Sequence, residues 1–174
     1  MWFAAREGFD VAGIDGSVSA VDHARRRFEQ EGLKGDLRVG LFGQLPWPDD
    51  SFDLVVDRGS LTCVAPAGQQ EAVTEIHRVL RPGGYFFHNG YSSRHLSAQL
   101  GTKLPDGRTT DITSGSLVGV GALYFSTRED IFARFSHGWE IGSFEHVVSE
   151  SVALSADTSP ACTHAEWRVV VRKL

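Results

Sequence analysis

Phe9-Asp10-Val11-Ala12-Gly13-Ile14-Asp15 is a largely apolar run that ends on a carboxylate, and Gly16-Ser17 follows at once. Phe9 to Ile14 reads as a buried strand. Ser17 reads as the cap of a helix in which Val18, Val21, Ala24 and Phe28 recur at roughly helical spacing, with Gly32 ending it. A strand that passes directly into a helix is the unit of a parallel α/β sheet. An acid at the carboxyl end of such a strand faces the crevice where open sheets bind ligands. Before this run, residues 1–7 read as helix, and Gly8 suits a left-handed stop.

The alternation continues outward. Leu37 to Leu41 is a short strand, and Phe52 to Val56 a stronger one, entered through the polar turn Asp49-Asp50-Ser51. Pro66 suits the first turn of the next helix, where a missing N–H costs nothing. Ala72, Val73, Ile76, Val79 and Leu80 form its apolar stripe. Pro82-Gly83-Gly84 is expected to stop it before Tyr85-Phe86-Phe87 starts another strand. From 91 to 123 the chain is rich in Gly, Ser and Thr, with Pro105-Asp106-Gly107 as a turn signal; a loop of that length characteristically carries function or moves. Ser126-Thr127-Arg128-Glu129 has capping-box spacing for a helix whose face is Ile131, Phe132 and Phe135. Trp139 to Val148 and Glu166 to Val171 close the chain as two strands, joined by a polar loop around Asp157-Thr158-Ser159-Pro160.

A chain of 174 residues is expected to form a single domain, 1–174, with one buried core. A formal net charge of −5 argues against a nucleic-acid surface, whose footprint is basic. The only basic run, Arg25-Arg26-Arg27, sits in a helical pattern beside Glu29 and Glu31 and reads as a solvated face. Two cysteines, Cys63 and Cys162, form neither a disulfide framework nor a metal site by spacing, so no metal is expected. No apolar run is long enough for a bilayer, and the first residues lack the order of a secretory signal, so the expectation is a cytoplasmic protein without a membrane partner. Gly119-Val120-Gly121 does not follow a strand in a βα unit and is set aside as a dinucleotide fingerprint.

Three stretches in order, Phe9 to Asp15, Leu45-Pro46-Trp47-Pro48-Asp49-Asp50-Ser51-Phe52-Asp53-Leu54-Val55-Val56-Asp57, and Arg78-Val79-Leu80-Arg81-Pro82-Gly83-Gly84-Tyr85, carry a resemblance. Together they are similar to the second, fourth and fifth strand regions of class I S-adenosylmethionine-dependent methyltransferases. The resemblance implies a Rossmann-like, mostly parallel sheet with helices on both faces and an antiparallel C-terminal strand pair. It also implies S-adenosylmethionine as cofactor and methyl transfer to a small-molecule acceptor. The first strand and glycine-rich loop of that family are not in this sequence, and Met1 to Arg6 resembles the later part of the helix that follows them. The expectation is therefore an N-terminally incomplete fold: a shortened enzyme, one in which a neighbouring chain of a homo-oligomer exchanges a strand, or a domain that no longer binds the cofactor.

By this resemblance Asp15, with Gly16 and Ser17, meets the ribose hydroxyls of the cofactor; the competing reading is an Asp that only starts the turn. Leu41 stands where relatives often carry an acid for the adenine amino group. That contact is lost here, leaving the Phe42 N–H and apolar walls to hold the ring. Asp57-Arg58-Gly59 is implied to line the methionine part, with Asp57 toward the ammonium and Arg58 toward an anionic substrate. Methyl transfer from a sulfonium depends on alignment, and a base helps only when the acceptor must lose a proton. His88 and Tyr91 are the candidates by location, and segment 91–123 is the expected substrate cover. Two other classes stay open: a non-catalytic interaction domain built on the same fold, and a nicotinamide-dependent oxidoreductase. The latter is disfavoured because no Tyr-x-x-x-Lys pair occurs.

Overall fold

The computed structural model describes residues 1–151 and 162–174, and the chain divides into two compact units, Met1–Pro46 and Trp47–Leu174. The predicted loop around Asp157 to Pro160 lies outside the described residues.

The first unit runs α1 (Trp2–Arg6), β1 (Ala12–Asp15), α2 (Val18–Gln30) and β2 (Asp36–Val39). The two strands are parallel, with Ala12 opposite Asp36 and Asp15 opposite Val39. Val21, Phe28 and Leu37 form the core, and Trp2, Ala5, Val11, Ala24 and Leu33 pack against it. Ser17 caps α2 as expected, its hydroxyl accepting from the Ala20 N–H at 3.3 Å. Gly8 and Gly32 end their helices at φ +86° and +65°, conformations open to glycine at no steric cost. β1 starts at Ala12 rather than Phe9. The Phe9 N–H still belongs to the end of α1, bonded to the Ala4 carbonyl, and its ring is exposed.

The second unit begins with β3 (Phe52–Arg58), a 3-10 turn (Leu61–Cys63), α3 (Pro66–Val79) and β4 (Leu80–Tyr91). A second 3-10 turn (Leu96–Gln99), β5 (Thr102–Lys103) and β6 (Thr109–Thr110) follow, then α4 (Arg128–Arg134), β7 (Trp139–Ser151) and β8 (Cys162–Lys173). The main sheet has the order β3-β4-β8-β7; β3 and β4 are parallel and the rest antiparallel. Phe86 of β4 packs its ring 6.0 Å from Phe135 behind α4, and Val169 and Val171 of β8 are fully buried. Burying each such side chain stabilises the fold by about 1.5–3 kcal/mol. Among the described residues β1 pairs only with β2, and β3 only with β4, so each leaves one edge unpaired.

Two local expectations shift. Pro82-Gly83-Gly84 lies inside β4, not between helix and strand. Leu80 pairs with Phe52 and Tyr85 with Leu54, so the intervening residues form a bulge, with Gly83 at φ +79°. The capping box starts one residue late: the Thr127 hydroxyl accepts from the Asp130 N–H at 3.1 Å, and the Asp130 carboxylate accepts from the Thr127 N–H at 2.7 Å. Ser126 is instead buried in the sheet's end, its N–H on the Tyr91 carbonyl and its own carbonyl accepting from the Trp167 indole N–H.

Residues 91–123 hold structure of their own. Ala98, Ile112, Leu117, Leu123 and Phe125 form a separate buried cluster, with Tyr91 and Leu100 against it. The excursion leaves and returns at one place, since Ser92 bridges Ser126 and the Ser93 N–H bonds the Ser126 carbonyl.

Candidate functional site

Two groups of predicted residues stand at strand ends, one in each unit. In the first unit, the carboxyl ends of β1 and β2 bring Asp15-Gly16-Ser17 beside Gly40-Leu41-Phe42. The Gly40 N–H bonds the Asp15 carbonyl at 3.0 Å, and Gly16 faces Gly40 and the Leu41 side chain. Asp15 is exposed, with Oδ1 accepting from the Ser17 N–H at 2.8 Å. Its Oδ2 has no partner among the described residues. One oxygen thus shapes the turn, and the other is free to accept from a ligand hydroxyl. Leu41 is 76% exposed, an apolar side chain at the lip beside that carboxylate. These residues fit a ribose and an adenine ring: a charged acceptor, an open glycine and an apolar wall.

In the second unit, the chain turns after β3 through Gly59, at φ +83°, whose N–H bonds the Asn89 carbonyl of β4 at 2.8 Å. A Cβ there would meet nothing, so glycine is required by conformation and not by space. Asp57 is only 7% exposed. Its Oδ1 accepts from the Ser60 and Leu61 N–H groups at 2.8 and 3.3 Å, and its Oδ2 meets His88 Nδ1 at 2.9 Å. Sequence reading points Asp57 at a ligand ammonium; in the structure its Oδ1 holds the turn and its Oδ2 meets His88 of β4. What the turn presents is the exposed Arg58, which has no ion pair among the described residues.

His88 is 1% exposed and lies under the sheet near Phe86 and Phe135, with Nε2 unpartnered among the described residues. The alternation of β4 decides this: Phe86, His88 and Gly90 are the buried positions of a strand with a helix-covered face. A base for an acceptor at the sheet's lip cannot act from there. Tyr91, at the end of β4, is half-buried. Its phenol is pushed above the ordinary range by burial, then by the nearby Cys63 and Glu166 charges.

Around Tyr91 the fold gathers side chains that sequence reading did not single out. Its ring meets those of His95 at 5.3 Å and His164 at 6.0 Å. His164 Nε2 lies 3.3 Å from Glu166, whose other oxygen pairs with Arg168 at 2.6 Å. Burial works against the charge of Glu166, yet hydrogen bonds from Asn89, Arg168 and His164 hold it below its usual range. The only signal for this group in the sequence is His164-Ala165-Glu166, two polar residues sharing one strand face. Their partner His95 is 69 positions away. Among the described residues, no group of acids, histidines and cysteines is arranged to hold a metal ion, and no helix of theirs is long and apolar enough to cross a membrane.

Residues 1–84 match the sequence profile of a methyltransferase domain family. A Mycolicibacterium smegmatis protein named "Probable S-adenosylmethionine-dependent methyltransferase" is 28% identical over 157 residues, covering 90% of this chain and 58% of that protein. An uncharacterized methyltransferase of Synechocystis is 34% identical over 84 residues, covering 48% of this chain and 38% of that one. The chain thus spans well under two thirds of the length of these relatives. Among solved structures, an S-adenosylmethionine-dependent methyltransferase of Methanosarcina mazei superposes with a TM-score of 0.73 at 21% identity, covering 99% of this chain and 86% of that one.

Proposed function

We propose that this chain, a relative of the class I S-adenosylmethionine-dependent methyltransferases by sequence over residues 1–84 and by fold along nearly its whole length, binds S-adenosylmethionine and passes a methyl group to a small molecule. The observation that carries the reading is Asp15: an exposed carboxylate at the carboxyl end of a parallel strand, with one oxygen committed to the turn and one free. A carboxylate so placed accepts from a vicinal diol, and charged acceptors make the stronger hydrogen bonds.

The roles divide as follows. Asp15, with Gly16 and Ser17, receives the ribose; Leu41 supplies an apolar wall for the adenine and the Phe42 N–H a donor. The turn Asp57-Arg58-Gly59 serves the methionyl end, with Asp57 shaping the backbone and Arg58 offered to an anionic acceptor. Segment 91–123 covers the acceptor. The cofactor, when bound, supplies an activated methyl group, so the chain's own work is alignment and exclusion of water. Tyr91 is the group best located to assist a proton's departure.

Isothermal titration with S-adenosylhomocysteine tests the reading, on this chain and on any longer product that contains it. Saturable binding that weakens when Asp15 is replaced supports it. Absence of binding in both samples removes it.

A further inference from the structure

Three imidazoles meet the segment that leaves β4, and two of them, His95 and His164, turn a bare ring nitrogen toward a donor. His95 Nδ1 accepts from the Ser97 N–H at 3.1 Å. A backbone N–H can only donate, so the proton of a neutral His95 ring sits on Nε2. That Nε2 lies 3.2 Å from His164 Nδ1, which must therefore be the acceptor, leaving the His164 proton on Nε2 and directed at Glu166. The third is His146, stacked on Trp167 with ring centroids 4.0 Å apart. Its Nε2 lies 2.8 Å from the hydroxyl of Ser92, which already accepts from the Arg94 N–H at 3.2 Å. The hydroxyl keeps a second lone pair beside its hydrogen, so it can donate to the ring or accept from it.

We propose that His95, between Ser97 and His164, forms a pH-operated clasp that holds residues 92–126 against β8, closed when the His95–His164 contact carries no extra proton and released when it takes one up, while Ser92 and His146 give a second contact to β7. His95 and Ser92 belong to the segment; His146 belongs to β7 and His164 to β8. Added to the His95–His164 pair, a proton leaves two donors facing each other, either Ser97 N–H against His95 Nδ1–H or His95 Nε2–H against His164 Nδ1–H. His95 and Ser97 are fully buried, so water cannot repair a mismatch between them without the segment lifting. The groups that face these rings are Tyr91 from β4, Glu166 and its partner Arg168 from β8, and Arg94 from the segment; Lys103 lies beyond, over the Phe125 ring. Of these, only Glu166 favours a charged ring, and Arg168 already shares it.

The titration follows the geometry. Burial, then the neighbouring His164, lowers His95 to about 4, and burial, then Arg94, lowers His146. A histidine whose folded pKa is depressed supports the closed state fully above the ordinary value near 6.5. That support is lost as pH falls from there toward about 4.

Hydrogen exchange with mass spectrometry at pH 7, 6, 5 and 4.5, corrected for intrinsic rates, tests the clasp without any cofactor or substrate. Protection of 92–126 is expected to fall roughly ten- to a hundredfold across that range, while β3, β4 and α3 keep theirs. His95→Asn retains an acceptor for the Ser97 N–H and cannot titrate, so most of the fall should vanish from its profile and the remainder belongs to His146; His164→Gln, at a more exposed position, should flatten it in part. Nitrogen-detected NMR of the imidazoles should show the proton of both His95 and His164 on Nε2 at pH 7. Unchanged protection down to pH 4.5, loss shared equally by β4, the opposite tautomers, or a variant profile equal to the parent's would each overturn the proposal. The covering role of the segment rests on the function proposed above. Failure to bind S-adenosylhomocysteine would cancel that role and leave the clasp standing.

Discussion

Asp15 and Leu41 make opposite predictions at one lip. Asp15→Asn keeps the turn bond to the Ser17 N–H and loses the charge on the free oxygen. Hydrogen bonds to charged groups are worth about 1.5–3 kcal/mol, so S-adenosylhomocysteine should bind roughly ten- to a hundredfold more weakly with the melting temperature unchanged. Leu41→Asp introduces an acceptor at the position proposed to meet the adenine. Titration calorimetry should show binding tightened several-fold, from a neutral-scale bond of about 0.5–1.5 kcal/mol. An equal affinity in either variant would contradict the assignment of that position. His88→Leu belongs to the same scale but to stability: it leaves Asp57 Oδ2 buried without a donor. Denaturant unfolding should register a loss of about 1–3 kcal/mol or more.

Among the elements, α4 shows how a cap reaches beyond its helix. Thr127 and Asp130 bond each other reciprocally, and the same Asp130 oxygen accepts from the Tyr124 hydroxyl at 2.9 Å. Thr127→Ala should cost about 0.5–2 kcal/mol in urea melts, whereas a cap at Ser126 would predict no effect from that change. Burial, then the Asp130 hydrogen bond, raises Tyr124 to about 12. A raised folded pKa means that its stabilisation is complete below about 10 and is lost as pH climbs toward about 12. Absorbance titration of the tyrosines should therefore show one ionising late, and Asp130→Asn should move it earlier. β4 makes a different point: Pro82 and two glycines read as a break, yet parallel pairing with β3 absorbs them as a bulge.

For the whole molecule, burial is uneven. The first unit's core is Val21, Phe28 and Leu37, whereas the second encloses Phe86, Leu80, Ile131, Phe135, Val169 and Val171 among others. Local stability follows buried apolar contact, so amides of residues 12–39 should exchange faster than those of β4 and β8 at neutral pH. The reverse order would show that the first unit draws its stability from something other than its own core.

The alternation of apolar runs with helical spacing was enough to read β1, α2, β3, α3 and the two closing strands from residues alone, because period and punctuation are local properties; the antiparallel pairing of the last two was an implication of the resemblance. The Ser17 cap was legible on the same local grounds, since it depends only on its place at a helix end. Pairing across distant chain positions was not legible. Whether His88 faces a ligand or the helices, and whether Asp57 is free or spent on Ser60 and Leu61, depends on which face of β4 the helices cover. The meeting of His95 with His164 and of Ser92 with His146 depends on strands brought together from 69 and 54 positions apart. Periodicity carries no record of such a meeting; only the closing of the sheet, which sets His95 against His164 and Ser92 against His146, decides it.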